Sequence, residues 1–198
     1  LRWLGLPADL GMPPDPLIRQ SERQTVYQEI FEKFVQEQLV YPCFCRRADL
    51  LAASAPHAED GHRVYAGTCR PTHLAAEPLA DRRLPAWRLA VTSENMEFTD
   101  LVAGQQVLNM VTEWGDFVIR RADGGFAYQL ACAVDDALMG VDLVVRGRDL
   151  LRSTFPQIYI FRLIDRPAPQ YVHVPLLVDP QGVRLSKRQQ SLDIGALQ

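Results

Sequence analysis

The sequence predicts an α/β domain whose sheet is mainly parallel. From residue 84 onward, short runs rich in β-branched and aromatic residues alternate with segments whose apolar residues repeat at helical spacing. This alternation is typical of strands that are joined by helices and therefore pair in parallel. The chain has 198 residues, of which 47% are hydrophobic, so it can bury a substantial core. In such a sheet, ligands bind at the carboxyl ends of the strands.

Three segments are predicted to be helices. The first follows Ser21-Glu22-Arg23-Gln24, which has the form of a capping box, and the second spans residues 128–138. The third is capped by Thr154 and tolerates Pro156 in its first turn. The apolar positions are Val26, Ile30, Phe31, Phe34 and Val35 in the first helix, Leu130, Val134 and Leu138 in the second, and Ile158, Ile160, Phe161, Leu163 and Ile164 in the third.

Four shorter segments are predicted to be strands, and they are bounded by turn residues. Asp123-Gly124-Gly125 is a turn before the second helix, and Asp179-Pro180-Gln181-Gly182 closes the last strand. Two loose segments, Pro-rich 7–16 and Ala/Pro/Asp-rich 52–84, indicate loops or boundaries. The predicted strands are residues 87–91, 116–120, 143–145 and 171–178.

Composition excludes several classes of protein. No stretch approaches the roughly 20 apolar residues of a membrane span, and the first residues lack the zones of a signal peptide, so we expect a cytoplasmic protein without membrane contact. Because the chain begins at Leu1, we expect its true N-terminus to lie upstream. The net charge of −3 gives no overall attraction for nucleic acid. Any RNA contact must use local arginine clusters, each of which by itself is an ordinary solvated surface: Arg46-Arg47, Arg82-Arg83, Arg120-Arg121, and Arg146, Arg148 and Arg152.

Cysteine spacing indicates a metal site. Cys43, Cys45 and Cys69 fall close together in a chain without a secretory signal, which favours metal binding over disulfides. Three thiolates suit the tetrahedral shell of zinc. From spacing alone, three buried and inert thiols are an equally good interpretation. Among common fourth ligands, His62 and His73 are candidates.

Two further groups of residues suggest binding of a charged ligand. Gly182 to Lys187 form a basic loop, in which a lysine can neutralise charge on a triphosphate, although a solvated loop is the default for a bare Leu-Ser-Lys tripeptide. Tyr128 and Arg146 lie at predicted element ends, where a guanidinium fork can bind a carboxylate and a phenol can hydrogen-bond a small ligand. Taken singly, these two are an ordinary core aromatic and a strand-end charge.

Four other titratable residues are interpreted as structural. Asp135 and Asp136 are neighbours on a helix, diverge by about 100°, and do not share one ligand face. His173 is a satisfied polar group at a strand end, retained only as a candidate near ATP, and Cys132 is a core residue.

An ordered series of motifs resembles the glutamyl-type class I aminoacyl-tRNA synthetases over nearly the whole chain. The Leu-Ser-Lys loop stands last in the series, where that family has its second signature motif. The series comprises Gln20-Ser21-Glu22-Arg23, Tyr41-Pro42-Cys43-Phe44-Cys45, Tyr65-Ala66-Gly67-Thr68-Cys69-Arg70, Trp87-Arg88-Leu89, 116–124, Ala127-Tyr128-Gln129-Leu130-Ala131, Val134-Asp135-Asp136-Ala137, Val145-Arg146-Gly147, Asp149-Leu150-Leu151, Ser153-Thr154 and Gln157-Ile158.

The resemblance implies a Rossmann-like catalytic domain that lacks its N-terminal strand and carries a small zinc-binding insertion. It divides the chain into catalytic residues 1–40, the insertion at 41–84, and catalytic residues 85–198, which end in the ATP loop. It implies that Arg184, Ser186 and Lys187 bind ATP with Mg²⁺, Lys187 acting in catalysis, and that Tyr128 and Arg146 bind L-glutamate. The zinc ligands that it implies are Cys43, Cys45, Tyr65 and Cys69.

Within the family, residues 148–163 and the Cys-x-Cys and Tyr-x-x-x-Cys pattern resemble the glutamyl-queuosine tRNA(Asp) synthetases. That branch implies an ATP-dependent ligase, expected to be monomeric, that transfers glutamate to the queuosine base of tRNA(Asp). A catalytic fragment of glutamyl-tRNA synthetase acting on tRNA(Glu) is the alternative, and a non-catalytic RNA- or zinc-binding remnant is another. The first class I signature, His-x-Gly-His, is absent from these residues and is expected upstream. Arg184 replaces the usual lysine, and Phe155-Pro156 departs from the usual Pro-Arg.

Overall fold

A computed structural model describes residues 19–46, 64–70, 84–92 and 95–179. The predicted ATP residues Arg184, Ser186 and Lys187 lie outside the described residues, as do His62 and His73. The α-helices of the described residues are α1 (Gln24–Gln36), α2 (Tyr128–Met139) and α3 (Thr154–Leu163). The strands are β1 (Val40–Cys43), β2 (Ala86–Leu89), β3 (Asn95–Asp100), β4 (Gly104–Asn109), β5 (Phe117–Arg120), β6 (Leu143–Gly147) and β7 (Gln170–Val174).

The strands form two sheets. A three-stranded antiparallel sheet has the order β1-β2-β5, and a four-stranded sheet has the order β4-β3-β7-β6. In the second sheet, β3 pairs in parallel with β7, and β7 pairs in parallel with β6. The predicted α/β domain with parallel strands is therefore confirmed, and the antiparallel sheet is an addition that the sequence pattern did not predict.

The unit β6-α3-β7 positions the most polar part of the molecule. Its two parallel strands are joined through α3, and Arg146 on β6 stands in register with His173 on β7. Asp100 is the last residue of the neighbouring parallel strand β3. Because carboxyl ends of parallel strands meet at one edge of a sheet, three side chains from separate parts of the chain converge there.

Aromatic contacts join the helices to the sheets. Phe31 of α1 packs edge-on against Trp87 of β2, with ring centroids 5.3 Å apart. Phe155 of α3 packs in the same way against Phe98 of β3, at 5.0 Å. Helix α3 is buried from Thr154 to Phe161, which explains why its apolar residues are not confined to one face. Gly140 caps the C-terminus of helix α2, and its left-handed conformation (φ 66°) suits glycine.

The predicted first helix is present, but its predicted cap is wrong. Ser21 lies in a separate 3₁₀ turn, Gln20–Glu22, and no described side chain caps α1, which begins at Gln24. The sequence pattern also misses Tyr27, which is fully buried, while Val35 is 38% exposed.

Other element predictions also need correction. Thr154 is the first residue of α3, and its hydroxyl turns to Arg146 and does not cap the helix. The last predicted strand ends at Val174, four residues early. Strands β1, β3 and β4 were not predicted, because β1 contains Pro42 and the hairpin β3–β4 is rich in polar residues. None of the described helices is long and apolar enough to cross a bilayer.

Candidate functional site

Three cysteines converge beside the antiparallel sheet. Cys43 is the last residue of β1, Cys45 follows it, and Cys69 comes from the separate segment 64–70. The three sulfur atoms lie within 4.8 Å of one another, and those of Cys45 and Cys69 are 3.5 Å apart. Sulfurs bound tetrahedrally at a zinc–sulfur distance of 2.3 Å are about 3.8 Å apart, so the cluster needs little adjustment to hold an ion.

Tyr65 completes this cluster with an oxygen atom. Its Oη lies 3.6 Å from the sulfurs of both Cys43 and Cys45. The same oxygen accepts a hydrogen bond of 2.8 Å from the backbone N–H of Cys69. The structure thus brings together all four residues of the Cys-x-Cys and Tyr-x-x-x-Cys pattern, and the arrangement of three thiols and one phenol fits a four-coordinate zinc ion.

The thiols of the cluster lie in an uneven electrostatic environment. Burial raises the pKa of Cys43, but its hydrogen bonds with Arg88 and Tyr65 outweigh this effect, and the net shift of the pKa is downward. Arg88 Nε donates to the Cys43 sulfur at 3.3 Å. Burial raises the pKa of Cys45 to about 11, and it also raises that of Tyr65. The Cys43 thiol is therefore prepared to ionise, whereas the Cys45 thiol needs an added positive charge.

Asp116 fastens the cysteine cluster to the rest of the domain. Its carboxylate accepts hydrogen bonds from the hydroxyl of Tyr41, from the backbone N–H of Val91 at 2.8 Å and from Arg70 Nη1 at 3.3 Å. Its carbonyl oxygen accepts from Arg88 Nη1 at 2.8 Å. Asp116 thereby connects strand β1, the end of β2 and the segment that carries Tyr65 and Cys69.

The preceding residue, Gly115, allows the two segments to touch. It has φ 77° and forms an isolated parallel bridge with Tyr65. A Cβ atom there would lie 2.9 Å from a methyl carbon of Val64 and 3.1 Å from the backbone N of Tyr65. Glycine is required both by the backbone conformation and by this close approach.

A second candidate site surrounds Arg146 at the carboxyl end of β6. Its guanidinium donates to Gln157 Oε1 and to Thr154 Oγ1, both at 2.8 Å, and its Nε lies 3.0 Å from His173 Nε2. These three bonds use three of the five guanidinium N–H groups, leaving one on each terminal nitrogen. The half-buried cation is thus held rigidly and retains donors for a ligand.

Tyr128 stands at the start of α2 and borders the same crevice. Its side chain is 47% exposed. Burial raises the pKa of Tyr128, and the positive charge of Arg146 partly opposes that shift. The prediction that Cys132 belongs to the core is wrong: it is half-buried, its thiol interacts with the Tyr128 phenol, and Gln20 Nε2 lies 3.9 Å from its sulfur.

Residues 1–196 match the family described as "tRNA synthetases class I (E and Q), catalytic domain". The chain belongs to this family.

Curated relatives show which branch of this synthetase family the chain is similar to. A protein of Symbiobacterium thermophilum named glutamyl-Q tRNA(Asp) synthetase is 45% identical over 206 residues, covering 100% of this chain and 63% of its own length. A protein of the same name from Nitratidesulfovibrio vulgaris is 44% identical with the same coverage. The resemblance to that branch is confirmed, and the chain spans 63% of the length of these relatives.

Solved structures confirm the fold expected of a class I synthetase. The crystal structure of a glutamate tRNA ligase from Elizabethkingia meningosepticum, in complex with its amino acid, has a TM-score of 0.75 and 25% identity, covering 94% of this chain and 40% of that one. Glutamate-tRNA synthetase from Elizabethkingia anophelis has a TM-score of 0.74 over 94% of this chain and 41% of its own.

Sequence reasoning did not identify the partners of Arg146 in this synthetase chain, since it assigned Thr154 to a helix cap and kept His173 only as a candidate near ATP. Thr154 and Gln157 are spaced three apart on one face of α3, and His173 is opposite Arg146 in the parallel register. The three-residue spacing of Thr154 and Gln157 is a local signal, whereas the position of His173 beside Arg146 follows only from the order of strands in the sheet. Gln157 Nε2 and Tyr171 Oη, among the described atoms, are buried without a hydrogen-bond partner, which is typical of a site that awaits a polar ligand.

The structural interpretation of Asp135 holds in the synthetase fold. Its carboxylate accepts hydrogen bonds from Arg23 Nε at 2.6 Å, Tyr27 Oη at 2.7 Å and Gln20 Nε2 at 3.1 Å. It faces α1 and the preceding turn, and it therefore ties α1 to α2. Burial raises the pKa of its neighbour Asp136.

Proposed function

We propose that the protein to which this chain belongs activates L-glutamate with ATP and transfers the glutamyl group to the queuosine base of tRNA(Asp). The observation that carries this proposal is the identity of 44–45% across the whole chain with relatives named for that activity. The identity with glutamate-tRNA ligases of known structure is 25%. We also propose that the enzyme is cytoplasmic and monomeric.

The first step joins glutamate to ATP. A glutamate carboxylate oxygen attacks the α-phosphorus, the bond to the β-phosphate oxygen breaks, and pyrophosphate leaves with the electron pair. Arg146 binds a carboxylate of glutamate through its remaining N–H groups, and the Tyr128 hydroxyl donates a hydrogen bond to the amino acid. Arg184, Ser186 and Lys187 bind the phosphates together with Mg²⁺, and Lys187 neutralises the charge that develops there.

The second step consumes glutamyl-adenylate. A nucleophile on the queuosine base attacks the activated carbonyl, and AMP leaves. In both steps the protein acts by positioning and charge neutralisation, without a covalent protein intermediate.

The cysteine cluster is proposed to bind a structural zinc ion through Cys43, Cys45, Tyr65 and Cys69. The sulfur spacing and the nearby Tyr65 oxygen support this set. The ion would connect β1 to segment 64–70. Its role is to fix the predicted insertion, residues 41–84, against the catalytic body.

The decisive experiment compares three RNAs as acceptors. The whole protein, with ATP, Mg²⁺ and radiolabelled glutamate, is offered queuosine-containing tRNA(Asp), the same tRNA without queuosine, and tRNA(Glu). Transfer to queuosine-containing tRNA(Asp) alone is expected. Transfer to tRNA(Glu) alone favours the glutamyl-tRNA synthetase alternative. If glutamate-dependent pyrophosphate exchange is absent with every RNA, the result favours a non-catalytic protein.

A lysine variant tests the ATP loop separately. Replacing Lys187 with Ala should lower the rate of glutamate activation at least tenfold, since a charge next to the transferring phosphoryl group is lost. Lys33 of α1 is an exposed control, and Lys33→Ala should leave the rate unchanged. An unchanged rate in Lys187→Ala would remove that residue from the site.

A further inference from the structure

Asp100 and His173 form a buried pair at the carboxyl ends of β3 and β7. His173 Nδ1 lies 2.7 Å from Asp100 Oδ2, and both side chains are 0% exposed. On the other side of the ring, His173 Nε2 lies 3.0 Å from Arg146 Nε and 3.3 Å from Thr154 Oγ1. Asp100, His173 and Arg146 thus form a continuous row that leads from the interior to the crevice.

The hydrogen bonds of this row determine which ring nitrogen carries the proton. Arginine N–H groups only donate, so His173 Nε2 must accept and carries no proton. Burial raises the pKa of Asp100, but hydrogen bonds from the backbone of Ala103, the ring of His173 and the backbone of Val102 bring it down to about 2. The ionised carboxylate also only accepts, which places the ring proton on Nδ1 and leaves the imidazole neutral.

This tautomer fixes the plane of the Arg146 guanidinium. Nε is bound by His173, and the terminal nitrogens are bound by Gln157 and Thr154, so the group cannot rotate without losing a charge-assisted bond. If the proton moved to His173 Nε2, two N–H groups would face each other across 3.0 Å. A guanidinium held in advance loses less entropy when its ligand binds.

We propose that Asp100 and His173 are positioning residues for amino-acid activation: Asp100 holds His173 as the Nδ1–H tautomer, and His173 holds the guanidinium of Arg146 in the plane that receives a carboxylate of L-glutamate. The inference rests on the proposed function, since that function assigns glutamate to Arg146. It adds two buried residues that do not touch the substrate.

Four substitutions in the whole protein test this row. Asp100→Asn replaces the acceptor-only carboxylate with an amide that can donate to His173 Nδ1 and reverse the tautomer. His173→Leu removes the acceptor for Arg146, whereas His173→Gln supplies an amide oxygen near the position of Nε2. Arg146→Lys removes the Nε–H group. Steady-state KM values for glutamate and for ATP are measured with acceptor tRNA, and because KM does not depend on the fraction of active protein, partial unfolding does not obscure it.

The expected result is a selective effect on glutamate. Asp100→Asn and His173→Leu raise the glutamate KM tenfold or more and change the ATP KM less than twofold. His173→Gln raises the glutamate KM less than His173→Leu does. Arg146→Lys alone raises the glutamate KM, and adding Asp100→Asn or His173→Leu to it gives no further rise. Arg162→Lys, on the exposed side of α3, is the unaffected control.

Two results overturn the inference, and they are distinguishable from failure of the proposed function. The first is an equal rise in the KM values for ATP and glutamate. The second is a further rise in the glutamate KM when Asp100→Asn or His173→Leu is added to Arg146→Lys, so that the two fold-changes multiply. In either case the proposed function stands if Arg146→Lys alone raises the glutamate KM. An unchanged glutamate KM in Arg146→Lys refutes the proposed role of Arg146, and with it the positioning role.

Discussion

The guanidinium carbon of Arg88 lies over the ring of Tyr65, 3.7 Å from its centroid. The same guanidinium donates to the sulfur of Cys43 and to the carbonyl oxygen of Asp116. Arg88 is only 7% exposed, so its charge is weakly screened by water. One buried cation therefore orients a phenol and a thiol of the candidate metal site and offsets negative charge on that thiol.

Removing this cation should weaken metal binding. Arg88→Leu keeps most of the aliphatic volume but removes the hydrogen bond to Cys43, and losses of this kind cost about 10- to 100-fold in metal affinity. Zinc affinity is measured by competition with a chelator of known strength. Arg121→Leu is the matched control, because Arg121 forms an exposed pair with Asp123 far from the cysteines in sequence. Equal affinities in the two variants would contradict the role of Arg88.

Substituting Tyr65 distinguishes between candidate fourth ligands. Tyr65→Phe preserves the ring under Arg88 but removes the oxygen that lies 3.6 Å from two sulfurs. We expect zinc content after dialysis against a chelator to fall in Tyr65→Phe and to stay unchanged in His73→Ala. Metal analysis of both variants decides, and the opposite pattern would assign the fourth ligand to His73.

Sequence spacing indicated the candidate metal site but not the residues that support it. Cysteine spacing is a local property of the chain, so Cys43, Cys45 and Cys69 could be found without a fold, whereas Tyr65 was implied only by the family resemblance. Arg88 reaches the cluster only because β1 pairs antiparallel with β2, where Tyr41 stands opposite Arg88. That pairing depends on the tertiary fold, and β1 contains a proline that hides it from pattern analysis.

The same distinction applies at the second site. Tyr128 and Arg146 were predicted from their positions at element ends and from the family motifs. The contacts of Arg146 with His173 and of His173 with Asp100 span 27 and 73 residues in sequence. No local pattern encodes such contacts, because they arise from the order of strands in the sheet.

Asp135 should contribute strongly to stability. Asp135→Ala leaves Arg23 and Tyr27 without the carboxylate that accepts from both, and the loss of one partner of a buried pair costs on the order of 3 kcal/mol. Urea unfolding followed by circular dichroism measures the change. Asp123→Ala removes a carboxylate from an exposed pair and should leave the urea midpoint unchanged. Equal midpoints in the two variants would contradict the role of Asp135 in joining α1 to α2.

The buried carboxylate of Asp100 should make stability depend on pH in acid. Its pKa in the folded protein is about 2, below the ordinary value of 3.8. The stabilisation is therefore complete above about pH 4 and is lost as the pH falls through 2, with a total on the order of 2 kcal/mol. The free energy of unfolding is compared for the wild type and Asp100→Asn from pH 5 to pH 2. The difference should shrink as the pH falls, and a constant difference would show that the ionised form is not favoured.

Two tyrosines should respond in opposite ways to the loss of a hydroxyl. Tyr128 is 47% exposed beside Arg146, so Tyr128→Phe should raise the glutamate KM several-fold and leave the thermal midpoint unchanged. The hydroxyl of buried Tyr159 donates to the carbonyl oxygen of Ala90 at 3.1 Å and accepts from the N–H of Thr92 at 3.2 Å. Tyr159→Phe should lower stability by about 1 kcal/mol and leave the glutamate KM unchanged. Thermal unfolding and steady-state kinetics on both variants provide the comparison, and a glutamate KM unchanged by Tyr128→Phe would exclude the phenol from binding.

The close approach at Gly115 means that the cysteine cluster and the sheets belong to one cooperative unit. Any side chain at this position would act as a wedge between Val64 and the chain that precedes β5, moving Tyr65 away from the sulfurs. The connection also acts in the opposite direction. A cation bound by the cluster would favour the folded body by mass action, so its concentration would set the resistance of the whole domain to unfolding.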